Sequence, residues 1–248
     1  MPFAFSSGSP MQIIQSEFQD QLVRGLSHRM NNILTLFHGY LGLLLESESL
    51  DPVTQDGLGR IKESARIATE LMDRTTALVR PANIVPREIV LDEFLNQLLP
   101  TFEKLRGVRP KIDIQCADQL PVAWADPSRL RLALTELVKN ACEATASGGR
   151  VSIVVAPFSP AGQPKASQWA SITVIDGGAG IAAGIASQMY EPFTTTKKKD
   201  IAAGLGLAVA MGCMQQIGGA IDHERLPGNT TFRLIIPARQ AAEIRAAA

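Results

Sequence analysis

The string Asp176-Gly177-Gly178-Ala179-Gly180-Ile181 sets one carboxylate at the end of an apolar run and follows it with closely spaced glycines. A carboxylate fixed there can accept a hydrogen bond from an exocyclic amine such as that of adenine, while glycines let the backbone approach a ligand closely. Further on, Glu191-Pro192-Phe193-Thr194-Thr195-Thr196-Lys197 leads through two more lysines to Gly204-Leu205-Gly206-Leu207, where glycine amides precede a helical pattern. The partial positive charge of a helix N-terminus suits phosphate oxygens. A third group, Glu136, Asn140 and Glu143, is spaced by four and three residues and forms one helical stripe apart from Leu130, Leu134, Leu137 and Ala141. Alone, each group has an ordinary reading: a turn, a solvated lysine run (preferred for Lys198 and Lys199), an exposed helix face.

These groups need elements to hold them. Asp126 is a good N-cap and Pro127 suits a first helical position, so a helix is expected over residues 127–145. Further helices are expected over 92–106 and about 206–217. Strands are expected over 88–91, 111–116, 150–156, 170–176 and 231–236, all rich in valine, isoleucine or threonine. That order gives an α/β sandwich over residues 88–240, with strand order left open.

The N-terminal third reads differently. Residues 11–46 contain no proline and place Leu22, Leu26, Ile33, Phe37, Leu41 and Leu44 at helical spacing, giving an amphipathic helix about 50 Å long at ~1.5 Å per residue. A turn over 47–53 and a second periodic segment bearing Leu58, Ile61, Ala65, Ala68, Met72 and Leu78 complete an antiparallel hairpin over 11–80. One wide apolar face with little to cover it predicts pairing of two hairpins into a homodimeric four-helix bundle. Residues 1–10 and 241–248 read as loose tails, and 81–87, bracketed by Pro81 and Pro86, as a linker.

Composition narrows the function classes. Lysine plus arginine and aspartate plus glutamate each number 24, so no global charge pulls the chain toward nucleic acid. Three scattered cysteines suggest neither a disulfide framework nor a zinc site. No apolar run reaches the ~20 residues of a membrane span and no signal peptide opens the chain, so a cytoplasmic location is expected.

Taken in order, Glu136 to Asn140, Asp176 to Gly180, Glu191 to Lys197 and Gly204 to Leu207 resemble the N, first glycine, F and second glycine boxes of sensor histidine kinases. Asn229-Thr230-Thr231-Phe232 resembles the family's closing strand, with Asn229 where a glycine is usual. The resemblance implies an ATP-binding domain of the gyrase, histidine kinase and mismatch-repair ATPase type. On it, Asn140 would hold Mg²⁺ and Glu136 a metal-bound water or the chemistry itself. Asp176 would read adenine with support from Thr230. Gly178 and Gly180 would shape the pocket floor; Gly204, Leu205 and Gly206 would close over the phosphates, with Thr195, Lys139 and Lys197 nearby.

The hairpin segment Leu26-Ser27-His28-Arg29-Met30-Asn31-Asn32-Ile33-Leu34-Thr35 is similar to the family's phosphoacceptor box. On that alignment His28 accepts the γ-phosphoryl group of ATP and passes it to an aspartate of a response regulator receiver domain. Neutral imidazole is nucleophilic, and a pKa near 6.5 leaves much of it neutral at cell pH. Asn32 matches the position that orients water for dephosphorylating the regulator, with Asn31 the weaker candidate. Arg29 departs from the family: an acidic residue there would orient the ring and take its proton, which arginine cannot do. Two other readings therefore stand beside a kinase: an ATP-binding pseudokinase scaffold, supported by Arg29 alone, and a gyrase-like or repair-like ATPase, which would not need the histidine-bearing hairpin.

Overall fold

A computed structural model describes residues 10–47, 50–79, 83–106, 110–159, 169–195, 204–226 and 228–239, with the side chains of the first helix described from Leu22. The chain divides into two compact units that part just after residue 79.

The first unit is two helices packed on each other, α1 (Pro10–Leu45) and α2 (Pro52–Leu78). The turn is shorter than expected because Asp51 caps α2, its Oδ1 accepting from the Val53 and Thr54 amides at 3.0 and 3.1 Å. Pro52, with no amide proton to satisfy, opens the helix. Ser27, Leu34 and Leu41 of α1 and Ala65, Arg74 and Ala77 of α2 are buried. By contrast Leu22, Leu26, Met30, Ile33, Phe37, Tyr40 and Leu44 are all exposed, advancing by four, four, three, four, three and four. Of the six α1 residues expected on one face, five are exposed and only Leu41 is buried within the chain.

The second unit holds β1 (Arg87–Ile89), α3 (Leu91–Arg106), β2 (Lys111–Cys116), β3 (Val122–Ala125), α4 (Pro127–Ala144), β4 (Arg150–Phe158), β5 (Trp169–Asp176), a 3₁₀ turn (Ala183–Gln188), α5 (Gly206–Gln216), β6 (Ala220–Leu226) and β7 (Asn229–Arg239). The seven strands run in the order β1-β3-β7-β5-β4-β2, with β6 also on β7, and β2 joins β4 in parallel. The remaining pairs are antiparallel. Helix α4 lies between α3 and α5 and packs on β4 and β5. Its Leu130, Leu134, Leu137 and Val138 are buried, as are Leu95, Leu98 and Phe102 of α3, Val209 and Met214 of α5, and Ile153, Ile172 and Leu234 of the sheet.

Two strands were absent from the sequence expectation. β3 is four residues, Val122-Ala123-Trp124-Ala125, too short to show alternation. β6 reads Ala-Ile-Asp-His-Glu-Arg-Leu, poor in strand-forming residues, and forms because β7 offers a full edge from Ile235 to Asn229. The hairpin between them turns at Gly228 (φ 80°), which leaves Asn229 as a paired strand residue opposite Leu226.

Candidate active site

Helix α4 is anchored where the sequence placed its cap. Asp126 Oδ1 accepts from the Ser128 amide (2.9 Å), the Ser128 hydroxyl (2.6 Å) and the Arg129 amide (3.4 Å), and Oδ2 accepts from the Val85 amide (3.0 Å). Burial pushes the Asp126 carboxyl upward, but these donors outweigh it and hold its pKa below the usual value. One carboxylate thus fixes both the helix start and the segment entering β1.

Three turns on, the polar stripe of α4 differs from a solvated face. Glu136 is only 5% exposed, Asn140 is half-buried and Glu143 is exposed. A Cβ built on Gly206 would lie 2.9 Å from Glu136 Oε2 and 3.2 Å from Asn140 Nδ2. A glycine lets the first residue of α5 sit against these two side chains without displacing their ends.

A cavity of about 360 Å³ opens beside this junction, within the range that accepts nucleotide-sized ligands. Asn140, Glu143, Asp176, Gly180, Thr195, Gly204, Gly206 and Thr230 reach it from α4, β5, β7, the start of α5 and the segments between them. Sequence reasoning missed its apolar walls: Ile181, Ile185, Met189, Leu207 and Phe232 also line it. They are scattered over a loop, the 3₁₀ turn, α5 and β7, so no single period links them and only the fold brings them to one wall.

Asp176 and Thr230 face one another in register across β5 and β7. Burial raises the Asp176 pKa; the Gly178 amide, donating to Oδ1 at 2.8 Å, and the Thr230 hydroxyl oppose that rise. That hydroxyl is buried and makes no well-formed hydrogen bond among the described residues. Such an atom is expensive to leave unsatisfied and is available to a ligand or water. Gly178 itself does not line the cavity; a Cβ there would meet Asp176 Oδ1 at 2.7 Å and the Ala144 Cβ at 2.8 Å. Its role is to let the turn fold back onto Asp176.

Gly204 (φ 84°) closes the other end, with its carbonyl accepting from the Phe193 amide at 2.8 Å. A Cβ at Gly204 would fall 2.6 Å from the Phe193 carbonyl carbon, and Phe193 itself is at φ 67°, an uncommon backbone region for a bulky residue. Two expected contributors stand apart: Leu205 buries its side chain completely, leaving only its backbone for a ligand, and Lys139 is half-buried away from the cavity walls. Lys197 to Lys199 lie outside the described residues.

On α1, His28 and Arg29 are exposed, and the Asn32 amide nitrogen lies 3.5 Å from His28 Nδ1. Asn31 turns instead toward α2, donating to Asp73 Oδ1 at 3.2 Å. The two asparagines therefore do different work: one clamps the hairpin and one faces the imidazole.

Residues 125–240 match the family described as histidine kinase-, DNA gyrase B- and HSP90-like ATPase, and they cover α4, the cavity and β7. The second unit thus carries an ATPase domain of that class. The sensor kinase CckA of Brucella abortus is 28% identical over 88% of this chain and 24% of its own length. Sensor histidine kinase ZraS of Escherichia coli K12 is 30% identical over 87% of this chain and 45% of its own. Over nearly its whole length the chain is similar to sensor histidine kinases, and it spans less than half the length of these relatives. Full-length ShkA, solved in complex with AMPPNP, shares the fold with a TM-score of 0.69 over 89% of this chain and 46% of its own, at 22% identity.

Proposed function

We propose that this chain is the catalytic core of a protein-histidine kinase, which binds ATP, phosphorylates itself on His28 and passes the phosphoryl group to an aspartate of a response regulator receiver domain. The observation that carries the reading is one cavity where Asp176, Asn140 and the first turn of α5 converge, in a chain that also exposes His28 on a helix. Asp176 accepts the adenine amine, and the partnerless Thr230 hydroxyl reaches the base through water. Ile181, Met189 and Phe232 cover the base with apolar surface. The phosphates extend to Gly204 and Gly206 at the start of α5, whose N-terminal amides suit phosphate oxygens, with Thr195 also on the cavity wall.

The donors at the phosphate end suit Mg²⁺. Asn140 supplies a hard amide oxygen and Glu136, one turn earlier, a carboxylate for an ion-bound water. Among the described residues no three acidic, histidine or cysteine side chains cluster as a metal cage, so Asn140 and Glu136 are the protein groups that would hold the ion. The ion's contribution when bound is to neutralise phosphate charge.

The exposed seam from Leu22 to Leu44 supports a homodimer, since its spacing is that of a helix bundle interface. No helix among the described residues is long and apolar enough to cross a membrane, and ATP chemistry of this kind belongs in the cytoplasm. The deciding experiment is labelling with γ-³²P ATP: the chain takes up label and His28→Ala does not. A second reading has one observation in its favour, the absence of a base at Arg29. A chain that binds ATP with Mg²⁺ yet takes up no label is a pseudokinase scaffold.

A further inference from the structure

A neutral imidazole has one N–H and one lone pair, so the nitrogen that attacks is decided by where the proton sits. In His28, Nδ1 faces the side-chain amide of Asn32, four residues on along the same helix face. Asn31, next to it, is already committed to Asp73. Arg29 offers donors only, so it cannot hold an imidazole N–H. Asn32 has acceptor capacity in its amide oxygen and is placed beside this ring.

The terminal amide of asparagine presents two different faces to one place. With Nδ2 turned inward, as the structure has it, Nδ1 is the acceptor, the proton sits on Nε2, and Nε2 has no lone pair for attack. Rotating the amide by about half a turn about χ2, a soft torsion, brings Oδ1 to the same spot. It then accepts Nδ1–H, and Nε2 is left with its lone pair.

We propose that Asn32 is a positioning residue that sets the tautomer of His28 through this rotation, filling the orienting role that Arg29 cannot. The inference rests on His28 being the phosphoacceptor. In the reacting arrangement the Nε2 lone pair forms the bond to the γ-phosphorus. The bond from that phosphorus to the β,γ-bridging oxygen breaks, its electron pair leaving with ADP. The Nδ1 proton, which an amide oxygen holds but does not remove, passes to water.

The test is the long-range ¹H–¹⁵N spectrum of the ring nitrogens in the full chain labelled at histidine, recorded with ATP analogue and Mg²⁺ above the ring pKa. His28→Ala identifies the His28 signals. The proposal expects Nδ1–H to be the major form in the wild type, a severalfold shift toward Nε2–H in Asn32→Ala, and Nδ1–H restored in Asn32→Asp. Asn32→Asp also raises the labelling rate by about tenfold, because a carboxylate both orients the ring and accepts its proton. Wild-type and Asn32→Ala chains with the same tautomer ratio overturn the proposal, as does a wild type dominated by Nε2–H with nucleotide bound. If Asn32→Ala does not fold, an Asn32→Asp spectrum lacking Nδ1–H overturns it equally. Should His28→Ala still take up label, the phosphoacceptor reading fails while the tautomer ratios remain decisive for Asn32.

Discussion

Asp176 concentrates the nucleotide chemistry in one side chain whose charge is made costly by burial and partly restored by Gly178 and Thr230. Protonation neutralises the carboxylate and weakens it as the acceptor for an adenine amine. Because folding raises this pKa, nucleotide affinity is expected to begin falling at a higher pH than an ordinary aspartate would dictate. Calorimetric titration across acid pH checks this: Asp176→Asn binds about tenfold or more weakly at neutral pH, the scale of a lost hydrogen bond to a charged group, and shows a flat profile where the wild type declines. At the other site, Arg29→Glu supplies a carboxylate base beside His28, which arginine cannot be. Its rate of label uptake is expected to rise severalfold, and an unchanged rate would show that Arg29 does not restrain the reaction.

Elements decide how accurately these groups are held. The Asp126 cap joins the start of α4 to Val85, so Asp126→Ala is expected to cost about 1–2 kcal/mol, read as a lower urea midpoint. The sign with pH follows from its pKa, which folding lowers: its stabilisation is present above the unfolded value and is lost as pH falls through the folded one. The variant should therefore lose less stability on acidification than the wild type. Gly204 is the second such point. Gly204→Ala must displace the Phe193 backbone and strain a φ of 84°. We expect ATP affinity to fall at least tenfold, the circular dichroism of the sheet remaining unchanged; wild-type affinity would remove Gly204 from the phosphate site.

For the whole molecule the feature to explain is the exposed apolar seam of α1. Seven large side chains in bundle spacing are more than a lone hairpin leaves to water without a partner. Replacing Ile33 and Phe37 together with glutamate is expected to convert a dimer to a monomer in light scattering, while the second unit keeps its ATP affinity. A wild type that is monomeric at micromolar concentration removes the bundle from the proposal.

The sequence alone determined most of the local chemistry, because caps, helical spacing and glycine-rich turns are written in neighbouring residues. Asp126-Pro127, the α4 stripe, the turn after Asp176 and the 204–207 glycines all read directly. It also foretold the uncovered face of α1, since periodicity shows which side chains share a face whether or not anything covers it. Only the tertiary structure decided the rest. β6 exists because β7 provides an edge, and the Asp51 cap shortened the hairpin turn. Glu136 lies against Gly206 at the start of α5, and the apolar cavity walls come from several elements and loops that no single period links. Asn31 and Asn32, adjacent in sequence, separate by about 100° around the helix, so one meets Asp73 and the other faces His28. These are long-range pairings, and no local pattern encodes the partner that makes them favourable.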